Sequence, residues 1–259
     1  LWFANWGAAQ EIRTVDLQGR SEVVAKGPKL AGYCIDWLPN GDLLVTGEGR
    51  ILRHSGDGSF VTHADLSALG QAWNEIVVDR RGNIYVNDVG FRFGQEEFRP
   101  GIITLVTPEG EARKVADNIA FPNGMVITPD NSTLIVAESF ARTLTAFDIA
   151  PDGSLSNRRV WASDIGADGI CLDADGAIWS PDIASGTPQV VRLREGGEVL
   201  QRMTLGAACF ACMLGGDDGK TLFMMAAEWR GVEKMGELFQ ARTGRVLTVE
   251  APAAHAGRP

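Results

Sequence analysis

Three oxygen-bearing side chains open apolar runs in the middle of the chain. Asn74 opens "NEIVV", Asn123 opens "NGMVI" and Asp168 opens "DGICL". Amide and carboxylate oxygens are hard donors that suit Ca²⁺ or Mg²⁺ and tolerate Mn²⁺ or Zn²⁺. Taken singly, Asn-Gly and Asp-Gly are common turn formers. The three residues are candidates for one metal site only if each holds the same place in a repeated unit.

A repeat of short strands supplies that equivalence. Each repeat holds an apolar run, a polar turn and a second apolar run, and most continue with further strand-like pieces. The intervals between repeats are 41 to 49 residues, a length typical of the four-stranded blade of a β-propeller. The repeats begin at Tyr33, Asn74, Asn123, Asp168 and Ala211.

The opening stretch adds a partial unit, because residues 1–27 match the last three strands of one more blade. The sequence therefore predicts an all-β fold: a six-bladed β-propeller with four antiparallel strands per blade, in a single domain over residues 1–259. A single blade cannot bury both faces of its sheet, so the blades must close into a ring. The first residue of each innermost strand then lies near one mouth of the central channel. We expect the first inner strand, and a strand that closes the last blade, upstream of Leu1.

The composition of the chain argues against two classes of partner, nucleic acids and membranes. The net charge of −9 argues against nucleic acid, which usually requires a basic face. No apolar stretch approaches the ~20 residues of a membrane span, and no cleavable signal pattern opens the chain. We expect no nucleic-acid or membrane partner, and we expect a cytoplasmic protein that is monomeric or a weak homo-oligomer.

The four cysteines are too few for a disulfide scaffold at this length. Cys209 and Cys212 spell CxxC, but residues three apart in an extended strand point to opposite faces. The sequence favours buried, reduced thiols over redox or metal chemistry.

Acidic residues also stand at the end of the second strand in several blades. Their side chains are either solvated or turned toward the channel. They are Glu48, Asp88, Glu138, Asp182 and Glu228. Two long links, 90–101 and 228–244, lie on the face where the inner strands begin. Such links either form lids over a channel mouth or pack upon themselves.

Several extended motifs resemble one known family: "WNEIVVDRRGNIYVND", "FPNGMVITPDNSTLIVAES", "LTAFDIAPDGSLSNRRVWA", "ADGICLDADGAIW" and "CFACMLGGDDGKTLFM". They are similar, in the same order, to the senescence marker protein/gluconolactonase/luciferin-regenerating enzyme family, which includes regucalcin. The resemblance runs along nearly the whole chain. It implies a six-bladed propeller with one divalent metal in the channel and an activity that hydrolyses sugar lactones.

The resemblance also implies roles for single residues. It makes Asn123 and Asp168 metal ligands, and it makes Asn74 a residue that contacts substrate or metal. A glutamate ligand is expected upstream of Leu1. Two positions depart from the family pattern: Glu75 replaces the usual Asp, and Ala72 followed by Trp73 stands where sugar-lactone-hydrolysing members often have Arg. These departures favour a less polar lactone or ester.

The predicted function is a metal-dependent lactonase with Ca²⁺ favoured over Mg²⁺, Mn²⁺ or Zn²⁺. The metal would polarise the lactone carbonyl for attack by water. Asp168 and Asn74 are the predicted catalytic residues, and Asn74, Glu75 and Trp73 are predicted to bind substrate. The alternatives are an organophosphate or aryl-ester hydrolase that uses the same site, and a non-catalytic metal-binding propeller.

Overall fold

Consecutive antiparallel strands make up the molecule. A computed structural model describes residues 1–7, 9–30, 32–55 and 58–257. Within these ranges the strands form six sheets of three or four strands, and each sheet is built from neighbours in the chain. The chain divides into two compact units, Leu1–Ile119 and Ala120–Pro259, with three sheets in each.

The first unit holds three sheets, here called blades 1, 2 and 3. Blade 1 contains β1 (Trp2–Asn5), β2 (Glu11–Val15) and β3 (Ser21–Lys26). Blade 2 contains β4 (Ile35–Trp37), β5 (Leu43–Gly47), β6 (Arg50–His54) and β7 (Phe60–Asp65). Blade 3 contains β8 (Trp73–Val78), β9 (Ile84–Asp88), β10 (Gly101–Val106) and β11 (Ala112–Ile119).

The second unit holds blades 4, 5 and 6. Blade 4 contains β12 (Pro122–Ile127), β13 (Thr133–Glu138), β14 (Thr143–Ile149) and β15 (Leu155–Ser163). Blade 5 contains β16 (Cys171–Leu172), β17 (Ile178–Pro181), β18 (Gln189–Leu193) and β19 (Val199–Thr204). Blade 6 contains β20 (Ala208–Gly215), β21 (Thr221–Ala227) and β22 (Arg245–Glu250). Two short 3-10 helices, Ile183–Ser185 and Val232–Lys234, and one α-helix, α1 (Met235–Ala241), complete the unit.

Burial follows the position of a strand within its blade. The second strands β5, β9 and β13 are buried along almost their whole lengths, because both faces of the sheet are covered there. Their sequences are accordingly continuous apolar runs rather than alternating ones. The last strands β3 and β11 are largely exposed and rich in polar residues. The core therefore lies between blades that neighbour one another within each unit.

The predicted all-β class is confirmed, and so is the strand count of each blade. Blades 2 to 5 have four strands, and the opening stretch forms the three strands expected of a partial blade. The helix α1 within link 228–244 was not predicted from the sequence. In the described part of the chain, no helix has the length and apolar character needed to cross a membrane. The single domain over 1–259 stays a prediction.

The expectation that Cys209 and Cys212 point to opposite faces of their strand was wrong. A β-bulge between Cys209 and Ala211 shifts the register of β20, so Cys209 and Cys212 point to the same face. Both pack with Cys171 in one buried cluster, and the Sγ atoms of Cys171 and Cys212 are 3.9 Å apart. Burial raises the pKa of Cys209 to about 12, and Asp168 adds to the shift. All four cysteines are free; Cys171, Cys209 and Cys212 are buried, as predicted, whereas Cys34 is partly exposed.

Candidate metal and substrate site

Asn123 is the second residue of a strand, not part of a turn. The strand β12 begins at Pro122, which pairs with Glu138, and the ladder is irregular from there to Met125. Only 7% of Asn123 is exposed. The residue before the strand, Phe121, has a φ of 60°, which is uncommon for a bulky side chain. The backbone is therefore bent sharply just where Asn123 enters the sheet.

A serine orients the Asn123 amide. The Ser139 hydroxyl donates to the main-chain oxygen of Ala167 at 2.7 Å, which uses its one proton. The same hydroxyl therefore accepts from Asn123 Nδ2, at 3.3 Å. This bond turns the carbonyl side of the amide, Oδ1, away from Ser139. Oδ1 is the atom that a hard cation requires.

Asp168 lies on the neighbouring strand segment. The N–H of Gly124 donates to the main-chain oxygen of Asp168 at 3.2 Å, so these two segments run side by side. A Cβ on Gly124 would stand 2.5 Å from the Ile170 nitrogen and 2.6 Å from the Asp168 oxygen. Gly124 has no positive φ, so close approach of two backbones explains it and a turn does not. Asp168 itself is half-buried.

Blade 5 meets blade 6 in the same way. Gly169 forms a parallel bridge with Ala211, and its N–H donates to the Phe210 oxygen at 2.9 Å. A Cβ on Gly169 would lie 2.8 Å from the Cβ of Ala211. The residues at equivalent places in blades 4, 5 and 6 therefore lie on adjacent segments, in the order Asn123, Asp168 and Ala211. The roles of Asn123 and Asp168 as metal ligands stay predictions.

Asn74 holds the equivalent place in the first unit. It is the second residue of β8, after Trp73, and it is half-buried. Trp73 packs partly against the hydrophobic cluster of blades 2 and 3, and among the described residues its Nε1 has no hydrogen-bond partner. The predicted meeting of Asn74 with Asn123 and Asp168 stays a prediction, and so does the substrate contact of Trp73.

Glu75 is an acid in a desolvated position. Burial raises the pKa of its carboxyl group, and a hydrogen bond with the Cys34 side chain offsets part of the shift. Its main-chain N–H donates to Oδ1 of Asn87 at 3.1 Å, and Asn87 is completely buried. A carboxyl group with a raised pKa exchanges protons nearer to neutral pH than an ordinary one.

Three of the five strand-end acids hold the loop that leads into the inner strand of their own blade. Asp88, Glu138 and Asp182 are each at most 7% exposed, and each accepts hydrogen bonds from main-chain N–H groups of that loop. The donors are Gln71 and Ala72 at 2.6 Å each, Ala120 at 2.7 Å and Gly166 at 3.1 Å. These three acids, here called the loop clamps, fasten the loops that lead to Asn74, Asn123 and Asp168. Glu48 and Glu228 are exposed, and Glu228 pairs with Arg230 at 2.9 Å.

The two long links differ in packing. In 90–101, Phe91 is buried and meets Phe98 edge-on at 5.7 Å, so this link packs upon itself. Link 228–244 carries α1, none of whose residues is buried. A lid role for either link stays a prediction.

The donor set favours a hard cation. Asp168 supplies a carboxylate and Asn123 an oriented amide oxygen on the adjacent segment. Among the described residues, no group of three or more His, Cys, Asp or Glu side chains is arranged to hold a metal. The residues present thus fit Ca²⁺ or a similar oxygen-seeking ion better than an ion that requires a thiolate or imidazole cage.

Comparison with known proteins agrees with the fold. Regucalcin from Agrobacterium tumefaciens strain C58, described as a calcium-binding protein, superposes with a TM-score of 0.76 at 21% identity. The match covers 99% of this chain and 87% of that one. Together with the six successive sheets, it defines the fold as a six-bladed β-propeller.

The sequence places the chain within a family. It belongs to the SMP-30/Gluconolactonase/LRE-like family, whose model matches residues 2–228. Diisopropyl-fluorophosphatase of Loligo vulgaris is 29% identical over 201 residues, which are 66% of this chain and 62% of that protein. The 6-deoxy-6-sulfogluconolactonase of Pseudomonas putida is 26% identical over 228 residues, which are 85% of this chain and 75% of that protein. The chain thus spans less than two thirds of the Loligo protein.

Proposed function

We propose that this chain is a divalent-metal-dependent hydrolase that opens lactones. The observation that carries the proposal is the pairing of Asn123 and Asp168 on adjacent segments, with the amide oxygen of Asn123 oriented by Ser139. Membership of a family that contains gluconolactonases supports the reaction class. The name of the Agrobacterium relative supports Ca²⁺ as the ion.

Each residue has a distinct part in this proposal. Asn123 and Asp168 hold the cation through oxygen atoms. The cation, when bound, supplies a positive charge that polarises the carbonyl oxygen of the lactone. Asp168 also accepts a proton from the attacking water at its carboxylate, and Asn74 orients the substrate. Trp73 and Glu75 contact the substrate beside Asn74.

Replacing Asp168 tests the proposal. We expect Asp168→Ala to abolish calcium binding in calorimetry and to lower lactone hydrolysis, followed by acid release, by at least about a thousandfold. The matched control is Asp217→Asn, which changes an exposed acid in a turn of blade 6. Hydrolysis that persists in metal-free Asp168→Ala protein would overturn the mechanism.

The similarity to the Loligo protein favours a second candidate, a hydrolase of organophosphate or aryl esters that uses the same residues. A panel of lactones, aryl esters and a fluorophosphate, each with Ca²⁺, Mg²⁺, Mn²⁺ or Zn²⁺, separates the two. A purely structural metal site predicts thermal stabilisation by the metal without turnover of any of these compounds.

A further inference from the structure

Two aromatic pairs lie beside the Asp168 segment. Phe121 and Phe140 of blade 4 stack with their ring centres 4.6 Å apart and an angle of 20° between the rings. Phe210 and Trp229 of blade 6 meet edge-on at 6.0 Å. We call these four side chains the aromatic rim. Its outer members are well exposed, Phe140 by 49% and Trp229 by 40%.

The backbone segments of blades 4 and 6 that adjoin the Asp168–Gly169 segment carry, or directly follow, one member of each pair. Phe121 lies two residues before Asn123, whose neighbour Gly124 bonds to the Asp168 oxygen. Phe210 accepts the hydrogen bond from Gly169, the residue after Asp168. One member of each pair, Phe121 or Phe210, is therefore on or next to a segment that is hydrogen-bonded to the Asp168–Gly169 backbone, in blade 4 and in blade 6 respectively.

The blade 4 pair is held firmly. The N–H of Ser139 donates to the Phe121 oxygen and that of Phe140 to the Ala120 oxygen, both at 3.1 Å. The loop clamp of Glu138 fastens Ala120 in turn. Phe121 keeps its unfavourable φ of 60° within this frame. Backbone strain that the surroundings maintain is common at ligand sites.

We propose that the aromatic rim accepts an aryl or alkyl substituent of the substrate, so that the enzyme prefers apolar lactones and esters to polyhydroxylated ones. The proposal rests on the proposed function, because it assigns a substrate class to the same site. A ligand that covers exposed aromatic rings removes apolar surface from water, which stabilises the complex, and the faces of the rings can stack on aryl groups. The segments that carry Phe121 and Phe210 are the neighbours of the segment that carries Asp168, so an apolar substituent of a substrate held at Asp168 has the rim within the same part of the fold.

The specificity test compares two lactones on one enzyme. With saturating Ca²⁺, we expect kcat/KM to be higher for dihydrocoumarin than for glucono-δ-lactone. Phe140→Ala should lower kcat/KM for dihydrocoumarin about tenfold, mainly through KM, and change the value for glucono-δ-lactone by less than about twofold. Trp229→Ala should act in the same direction. Equal losses on both lactones, or no loss on either, would overturn the proposal.

The controls separate folding from recognition. Phe140→Leu keeps apolar volume and should retain most of the activity on alkyl lactones. Val160→Ala changes a residue that is 64% exposed in the last strand of blade 4, and it should leave both lactones unaffected. Urea unfolding of each variant shows whether a loss of activity reflects loss of the fold.

A binding experiment distinguishes failure of the rim from failure of the proposed function. The probe is dihydroquinolinone, the lactam analogue of dihydrocoumarin, which resists hydrolysis, and its binding is measured by calorimetry. Binding that weakens in Phe140→Ala but not in Val160→Ala supports the rim even if no lactone is hydrolysed. Hydrolysis of lactones with unchanged lactam binding in Phe140→Ala keeps the function and overturns the rim.

Discussion

Two asparagines occupy the same place in different blades, and their surroundings differ at the next residue. Asn74 in blade 3 and Asn123 in blade 4 are both second in the inner strand, and both ladders skip pairing directly after the strand begins. In blade 3 the next residue is Glu75, and in blade 4 it is Gly124.

The skipped pairing leaves a main-chain N–H that needs an acceptor, and the two blades provide it differently. The N–H of Glu75 donates to the side chain of Asn87, within its own blade. The N–H of Gly124 donates to the Asp168 oxygen in the next blade. Glycine thus permits the contact that joins two candidate ligands, whereas glutamate adds a desolvated acid beside Asn74.

Adding a side chain at Gly124 should have the largest effect of the three changes that test this comparison. The new Cβ of Gly124→Ala would meet three backbone atoms at 2.5 to 2.8 Å, and backbone cannot swing aside. We expect the free energy of unfolding, measured in urea, to fall by about 1–3 kcal/mol. Gly206→Ala is the matched control, because a Cβ at Gly206 has open space. Equal stability of the two variants would contradict the close-approach explanation.

Removing the hydroxyl that orients Asn123 should have the next largest effect. Ser139→Ala deletes the hydroxyl that accepts from Asn123 Nδ2, so the amide is held less firmly. Calcium affinity, measured by calorimetry, should fall about tenfold, as is usual when a residue that orients a ligand is lost. Ser156→Ala, at an exposed serine of β15, serves as the control. Unchanged affinity in Ser139→Ala would contradict the role of Ser139 in orienting a ligand.

Neutralising Glu75 should have the smallest effect of the three changes, and it should stabilise the folded protein rather than destabilise it. Because the pKa of Glu75 is raised in the folded protein, the folded state holds its proton to higher pH than the unfolded state. The free energy of unfolding therefore decreases as pH rises from the unfolded to the folded pKa. Glu75→Gln removes this loss.

The thermal midpoint of Glu75→Gln should accordingly exceed that of the natural protein by a few degrees at pH 7, and the two should converge near about pH 4. Glu48→Gln, at an exposed acid, should show no such difference. A lower midpoint at pH 7 for Glu75→Gln would contradict a desolvated carboxylate.

The sequence predicted the blades well because each repeat carries its own strands and turns. Equivalence of Asn123 and Asp168 followed from the repeat, and the backbone places them on adjacent segments. The sequence did not explain Gly124, since a glycine needed for close approach looks like a turn glycine. A second glycine at Gly169, also directly after a candidate ligand, was the signal that separates the two explanations.

Other features depend on contacts that a linear pattern does not carry. The bulge that turns Cys209 and Cys212 to one face cannot be inferred from the spacing of the two residues. The loop clamps look like solvated acids until their main-chain donors are known. The aromatic rim draws its members from four separate places in the chain. Phe121, Phe210 and Trp229 stand in segments already singled out, but nothing in the linear pattern joins them to one another or to Phe140.

The loop clamps have a consequence for how such a protein changes over time. Asp88, Glu138 and Asp182 each anchor the loop of their own blade through main-chain groups, which every amino acid except proline provides. These bonds themselves therefore place no demand on the side chains of the donor residues, apart from excluding proline. Loss of one acid should release the loop of its own blade and leave the other two loops anchored.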